Sequence, residues 1–219
     1  MSNPADIEAF RRAFTMALID GDSLAAEVLI REAMDAELSG ALIDDEIIAP
    51  ALYIVGELWE QGNISVAEEH LATEIVVRVL ALQHEARRVA AERQGHRVVL
   101  ATTSGEQHVV ALRMVHNLLR NAGYDVVMLG AAVPIDALAQ FAARHEPGAV
   151  CLSATMPVAV DELDSLVRTV QEARPSAGFI VGGRGFAGRF PARQGVEFCD
   201  RVSDVVETAD AVVRRARLN

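Results

Sequence analysis

VVLATTSGEQHVVALRM, Val98 to Met114, is the stretch whose reading decides the fold of this chain. Its first part, VVLATT (Val98 to Thr103), is an apolar run of strand length, uniform enough for a strand buried on both faces. Its last part opens a helical pattern with Ala111, Leu112, Val115, Leu118, Leu119 and Ala122 on one face. Gly105, Glu106 and His108 therefore fall at a strand-to-helix turn, at the carboxyl end of a strand, where open parallel sheets bind ligands. A histidine there can project its imidazole out of the fold toward a large flat ligand. Glu106 can accept a hydrogen bond from the other ring nitrogen, which fixes the tautomer and makes the free nitrogen a better metal ligand. The same residues also read as a polar loop with a histidine at a helix start.

Downstream, DVVMLGA (Asp125 to Ala131), AVCLSA (Ala149 to Ala154), GFIVGG (Gly178 to Gly183) and the weaker VEFC (Val196 to Cys199) alternate with helical stretches. Strands this apolar, alternating with helices, predict an α/β domain. Its sheet is doubly wound, parallel and Rossmann-like, of roughly five strands in flavodoxin-like order. Three loops converge at the carboxyl ends of its strands. They hold Thr103, Ser104, Gly105, Glu106 and His108; then Ser153, Ala154 and Thr155; then Gly182, Gly183 and Arg184. Paired glycines let backbone approach a ligand and offer amide donors, or they make an ordinary tight turn. No GxGxxG follows the first strand and no GxxxxGK[ST] is present, which disfavours a dinucleotide and a nucleoside triphosphate. A receiver domain is excluded too: strand one ends in ATTSG without an acidic cluster, and strand three ends in LSAT without an Asp.

Upstream the rhythm is helical. Asn3-Pro4 reads as an N-cap followed by proline at the first helical position, and Phe10, Phe14, Ala17 and Leu18 recur at helical spacing. Gly21 to Ser23 separates this helix from one over about residues 24–38, with Ala25, Val28, Leu29 and Ala36 as its apolar face. A third helix is expected over about residues 44–61, with a kink at Pro50. After the Gly62-Asn63 turn, Ser65 and Glu68 form a capping box for a long helix to about Glu92. Four amphipathic helices with short connections predict an N-terminal four-helix bundle over residues 1–92. The stretch AAERQGHR around Gly95 is the linker, and the sheet domain spans residues 97–219. Within the bundle, LWEQGNISVAEEHLATE carries the only tryptophan, Trp59, and places Val66, Glu69 and His70 on a shared face of the last helix. The plain reading is a tryptophan plugging the bundle end beside solvated polar residues.

The chain has 219 residues, of which 51% are hydrophobic but only 5% aromatic, as suits helices and a parallel sheet filled with Ala, Val and Leu. Its 31 acidic and 20 basic residues leave a net charge of -11, which opposes binding to a nucleic-acid backbone. No run approaches the ~20 apolar residues of a membrane span, and MSNPADIEAF lacks the layout of a signal peptide. Cys151 and Cys199 are too few and too distant for a disulfide framework or a thiolate metal site, so a cytoplasmic location is expected.

A helical bundle, a linker and a flavodoxin-like domain with an acid-x-His loop together resemble the cobalamin (vitamin B12)-binding module. Methionine synthase, the corrinoid proteins of methyltransferase systems and CarH-type light-sensing repressors share it. The family loop DxHxxG, with Glu first in the CarH-type form, stands here as Glu106-Gln107-His108-Val109-Val110-Ala111; the family serine matches Ser153 and its double glycine Gly182 and Gly183. CarH-type sensors carry a Trp, a Val seven residues on and then a Glu-His pair, a spacing that Trp59, Val66, Glu69 and His70 reproduce. Two departures stand out. Ala111 replaces the last glycine of the loop, and Glu60 replaces the histidine that ligates cobalt after photolysis in CarH-type sensors.

The resemblance implies a cobalamin-binding sensor, a photoreceptor or regulator preferring adenosylcobalamin, and not an enzyme. His108 becomes the lower axial cobalt ligand and Glu106 its orienting partner. Gly105, Ser153, Thr155, Gly182 and Gly183 take the displaced base and its tail, and Trp59 and Val66 cover the upper face. Glu69 and His70 bond the adenosyl group. The chain starts at the bundle, without a MerR-type DNA-binding domain, so output through a regulatory protein partner is implied, and helical faces allow a homo-oligomer. The alternative the resemblance leaves open is a corrinoid carrier subunit of a methyltransferase system.

Overall fold

The computed structural model describes residues 4–87, 95–186 and 195–216. The chain divides into two compact units, Met1–Val89 and Ala90–Asn219. The expected N-cap at Asn3 and most of the expected linker lie outside the described residues.

The first unit is helical: α1 (Pro4–Ile19), α2 (Ser23–Asp35), a single turn α3 (Gly40–Ile43), α4 (Ala49–Glu60) and α5 (Val66–Ala86). Phe14 and Leu18 of α1 are buried with Ile30 of α2, Val55 of α4 and Val76, Val79 and Leu80 of α5. Each such side chain removed from water contributes roughly 1.5–3 kcal/mol before entropy is counted. The capping box is present: the Glu68 amide donates to the Ser65 hydroxyl, and the Ser65 amide donates to the Glu68 carboxylate.

Two features differ from the sequence reading. Helix α2 is capped by Asp22, whose carboxylate accepts from the Ala25 amide, and it buries Ala26, Glu27, Ile30 and Ala33. Val28, expected inside, is exposed. Both sets of residues recur at helical spacing; Glu27 decides between them, because it turns inward between Arg31 and Arg78, which both ion-pair with it. The second difference lies before Pro50. The helix there starts earlier, at Gly40 behind a Ser39 cap, and residues Asp44–Ile48 form a π-helical turn in which the Ala49 amide donates to the Asp44 carbonyl. Proline lacks the amide that would continue the α ladder, and the wider turn takes up the mismatch. It leaves Asp44 1% exposed, with Oδ1 buried and, among the described residues, without a hydrogen-bond partner. Burial raises its carboxyl to about 7, against a hydrogen bond from Gln83; Asp45 pushes it further up and Arg87 pulls it down.

The second unit is the expected doubly wound sheet. Strands β1 (Arg97–Thr102), β2 (Asp125–Gly130), β3 (Ala149–Ser153), β4 (Gly178–Gly182) and β5 (Val196–Cys199) are all parallel, in the order β2-β1-β3-β4-β5. Helices α6 (Val110–Asn121) and α9 (Val205–Ala216) lie over one face, and α7 (Ile135–His145) and α8 (Val160–Ala173) over the other. Val99, Val150, Leu152, Phe179 and Val181 fill one core, and Val98, Leu100, Cys151 and Ile180 the other. Coverage on both faces is why the strands read as uniformly apolar. The winding reverses between β1 and β3, so the loops at their carboxyl ends flank the switch point at which such sheets bind ligands.

Candidate functional site

Thr102 closes β1 and is fully buried. Its hydroxyl donates to the Glu106 carbonyl at 2.7 Å and accepts from the Ala132 amide at 2.8 Å; that amide also reaches the Glu106 carbonyl at 3.0 Å. Between them Gly105 takes φ +83°, a backbone conformation that costs glycine little. The loop after β1 is thus tied to the loop after β2.

The loop turns the Glu106 side chain inward. Glu106 is 5% exposed, although a carboxylate is costly to bury without partners. Four donors meet it. Oε1 accepts from the His108 amide at 2.9 Å and lies 2.5 Å from His108 Nδ1; Oε2 accepts from the amides of Thr155 at 2.7 Å and Met156 at 2.9 Å, both in the loop after β3. Burial alone would raise its pKa and make it a weaker acid. The amides of His108 and Met156, the His108 ring and the Thr155 amide outweigh it and hold the group below the usual carboxylate range. An ionised carboxylate can only accept, so Nδ1 donates to it and Nε2 is the ring nitrogen left without that partner. The His108 side chain is 53% exposed. The result is an imidazole oriented by its carboxylate at the switch point.

The loops after β3 and β4 are sewn together. The Ala154 amide donates to Gly182, the Gly185 amide to Ala154 and the Val158 amide to Gly185. A Cβ on Gly183 would lie 2.4 Å from the Ala154 carbonyl oxygen, and one on Gly185 2.1 Å from that of Met156. Loop-to-loop backbone packing therefore requires both glycines. Ser153 is buried at the end of β3, in register with Gly182, and Thr155 is half-buried beside it. Among the described residues, Glu106 is met by the Thr155 and Met156 amides and not by the Ser153 hydroxyl. The structure thus brings Gly105, Glu106, His108, Ser153, Thr155, Gly182 and Gly183 to one edge of the sheet. Sequence reading omitted Thr102, Ala132, Met156 and Gly185. Only Gly185 left a signal there, as the third glycine of GGRG.

The bundle residues form a separate group. Trp59 ends α4, 45% exposed, and Val66 opens α5, also exposed. On the next turn the Thr73 hydroxyl donates to Glu69 Oε1 at 3.0 Å, while Glu69 Oε2 lies 3.6 Å from His70 Nε2. Trp59 is not a plug in the bundle core.

Among the described residues no three His, Cys, Asp or Glu side chains converge as a metal site. A lone imidazole is sufficient only for a metal that arrives with its other ligands, which suits a metal held in a macrocycle. Among the described residues, no helix is long and apolar enough to cross a membrane.

Comparison with known proteins agrees. A B12 binding domain family model matches residues 96–213, and a second B12 binding domain model matches residues 11–82. The chain is 33% identical over 132 residues to the HTH-type transcriptional repressor CarH of Myxococcus xanthus, covering 60% of this chain and 43% of that one. It thus spans less than half the length of that repressor. It is 26% identical over 203 residues to trimethylamine corrinoid protein 1 of Methanosarcina acetivorans, covering 90% of this chain and 94% of the relative. The fold matches the Methanosarcina barkeri monomethylamine corrinoid protein with a TM-score of 0.80 at 17% identity, over 94% of this chain and 99% of that one. With the matched domain covering the sheet unit that holds His108 and its carboxylate, the chain belongs to the B12-binding domain family.

Proposed function

We propose that this cobalamin-binding chain is a sensor that prefers adenosylcobalamin, contributes no catalytic residue and passes its signal to a protein partner. The observation that carries the cofactor half of this reading is the Glu106-held imidazole of His108. His108 Nε2 would be the lower axial ligand of cobalt in place of the cofactor's own base. Glu106 keeps the proton on Nδ1 and so keeps Nε2 available. Gly105, Ser153, Thr155, Gly182 and Gly183 would receive the displaced base and its tail. Trp59 and Val66 supply an apolar face for the upper axial group, and Glu69 and His70 supply its polar contacts. Bound adenosylcobalamin brings a weak cobalt–carbon bond that light can break. Loss of the upper group would leave the Trp59 face without its occupant, and the bundle's response to that loss is the signal. Glu60, beside Trp59, gives this chain no imidazole there to hold the lit state.

The test is the absorption spectrum of the protein with adenosylcobalamin and with methylcobalamin, in the dark and after illumination. Imidazole-ligated spectra that vanish in His108→Ala, and a light-induced change confined to the adenosyl complex, are expected. An unchanged spectrum in His108→Ala defeats the ligation.

A second reading, a corrinoid carrier subunit of a methyltransferase system, draws on the end-to-end similarity to the trimethylamine corrinoid protein. Tight binding of methylcobalamin with indifference to the adenosyl form would favour it.

A further inference from the structure

Asp44, Gln83 and Arg87 form a polar cluster within the helical unit, and none of them is a proposed corrinoid contact. Asp44, in the π-turn, is 1% exposed, and Gln83, on α5, is 3% exposed. The Gln83 amide donates to the Gly40 carbonyl at 3.3 Å, and Arg87 Nη2 donates to the Leu38 carbonyl. Gln83 also donates to the Asp44 carboxyl. The last turn of α5 thus clasps the segment that leads through α3 into the π-turn. Gly40 is where the two side chains cross it: a Cβ there would lie 3.4 Å from Arg87 Cδ and 3.4 Å from Gln83 Nε2.

The clasp is incomplete. Among the described residues, Asp44 Oδ1 and Arg87 Nε are both buried without a hydrogen-bond partner. A carboxylate oxygen and a guanidinium N–H would satisfy each other if they met, yet here they attract without that bond. Unpaired buried polar groups in a native fold call for an explanation, and π-turns recur at functional positions. Relative magnitudes decide which protonation state the turn accepts. Burial is the largest influence on Asp44; Gln83 and Arg87 oppose it, and Asp45 on the same turn adds to it. Helices α1 and α4 pack against the same turn, and among the described residues neither contributes a charged group that acts on this carboxyl. A neutral carboxyl lies in this site at little cost. An ionised one, with Oδ1 unpaired, is expensive to bury.

We propose that Asp44 is a charge-operated latch: while neutral it lies closed against Gln83 and Arg87, and when ionised it releases the α3–π-turn segment from the last turn of α5. The helical unit ends at Val89, two residues beyond Arg87, and the chain then runs on to the sheet unit. Loss of one proton therefore loosens the end of the helix from which the chain passes to its second unit.

The experiment is amide hydrogen exchange of the full chain between pH 5 and pH 8, with each rate divided by its intrinsic rate at that pH. Opening of residues 40–48 and 80–87 should increase about 10–100-fold from pH 5 to pH 8 and level off above about 7, as a carboxyl raised from 3.8 to about 7 on closure requires. Peptides of β1 should not change. Asp44→Asn, which cannot ionise, should remove the pH dependence. Arg87→Gln, which removes an attraction to the ionised form, should carry the levelling-off to higher pH, and it keeps the test standing if Asp44→Asn does not fold. A flat profile in the unsubstituted protein overturns the latch. So does a rise shared equally by α1 and α2, which would report unfolding of the whole unit, or a rise that survives in Asp44→Asn.

Discussion

Glu106 is 5% exposed and receives three backbone amides and an imidazole, whereas Trp59, on the bundle, is 45% exposed beside a helix position that carries no side chain. The two groups belong to different units of the chain and are built on opposite principles. A buried carboxylate beside an imidazole must be matched by donors before any ligand arrives, because its desolvation is otherwise uncompensated. An apolar face can wait: its exposure costs little in isolation, and the ligand supplies the burial. The lesson is that the sheet unit is preorganised around one oriented imidazole, on which the proposed ligation rests, while the exposed face of the bundle has no such set of fixed partners.

Replacing His108 by alanine should abolish the imidazole-ligated corrinoid spectrum, the largest effect expected anywhere in the chain. An equally large loss from Trp59→Ala would break the contrast between the two regions.

The next effect belongs to the bundle and concerns pH. Asp44 titrates near 7 in the folded chain but near its ordinary 3.8 when unfolded. Between those values the folded state holds a proton that the unfolded state has lost, so stability falls as pH rises from about 4 to 7 and then levels off. The slope is at most about 1.4 kcal/mol per pH unit from this group. Asp44→Asn should leave stability unchanged near pH 4 and raise it at pH 8, read from denaturant melts at each pH. A variant less stable than the parent at pH 8 would mean that the ionised carboxylate has a partner that stabilises it.

Glu106→Gln sharpens the comparison from the sheet side. It replaces an acceptor with a group whose NH2 faces amide donors, so corrinoid affinity should fall about 10–100-fold, the usual cost of losing the partner that orients a metal-ligating histidine. Ser153→Ala, which removes a hydroxyl that Glu106 does not use, should change the ligated spectrum far less.

The smallest effect is on apoprotein stability in Trp59→Ala. A half-exposed ring outside the core should shift the unfolding free energy by about 0.5 kcal/mol or less, while the preference for adenosylcobalamin disappears. A large drop in stability would place Trp59 in the core after all.

Much of this was legible in the sequence because it is written in neighbouring residues. Uniform apolar runs predicted the parallel strands, since a strand covered on both faces has no polar side to show. The Ser65–Glu68 box, the strand-to-helix turn and the Glu-x-His spacing were equally local. The face of α2 was not: its periodicity allowed two rotations, and the choice fell to Glu27, whose pairing with Arg78 bridges 51 positions. The kink expected at Pro50 became a π-turn upstream of it, because the chain could move the missing hydrogen bond rather than break the helix.

By itself, then, the order of residues determined the alternation of elements, the caps and the acid-x-His pair, all set by interactions a few residues long. Tertiary structure alone decided that Thr155 and Met156, 49 and 50 positions away, would hold the Glu106 carboxylate, and that Thr102 would tie two loops through one hydroxyl. It alone decided that Gly185 would be packed against backbone while Gly56 stood open. Backbone amides and empty space carry no residue identity, so their meeting with a side chain exists only once the chain is folded.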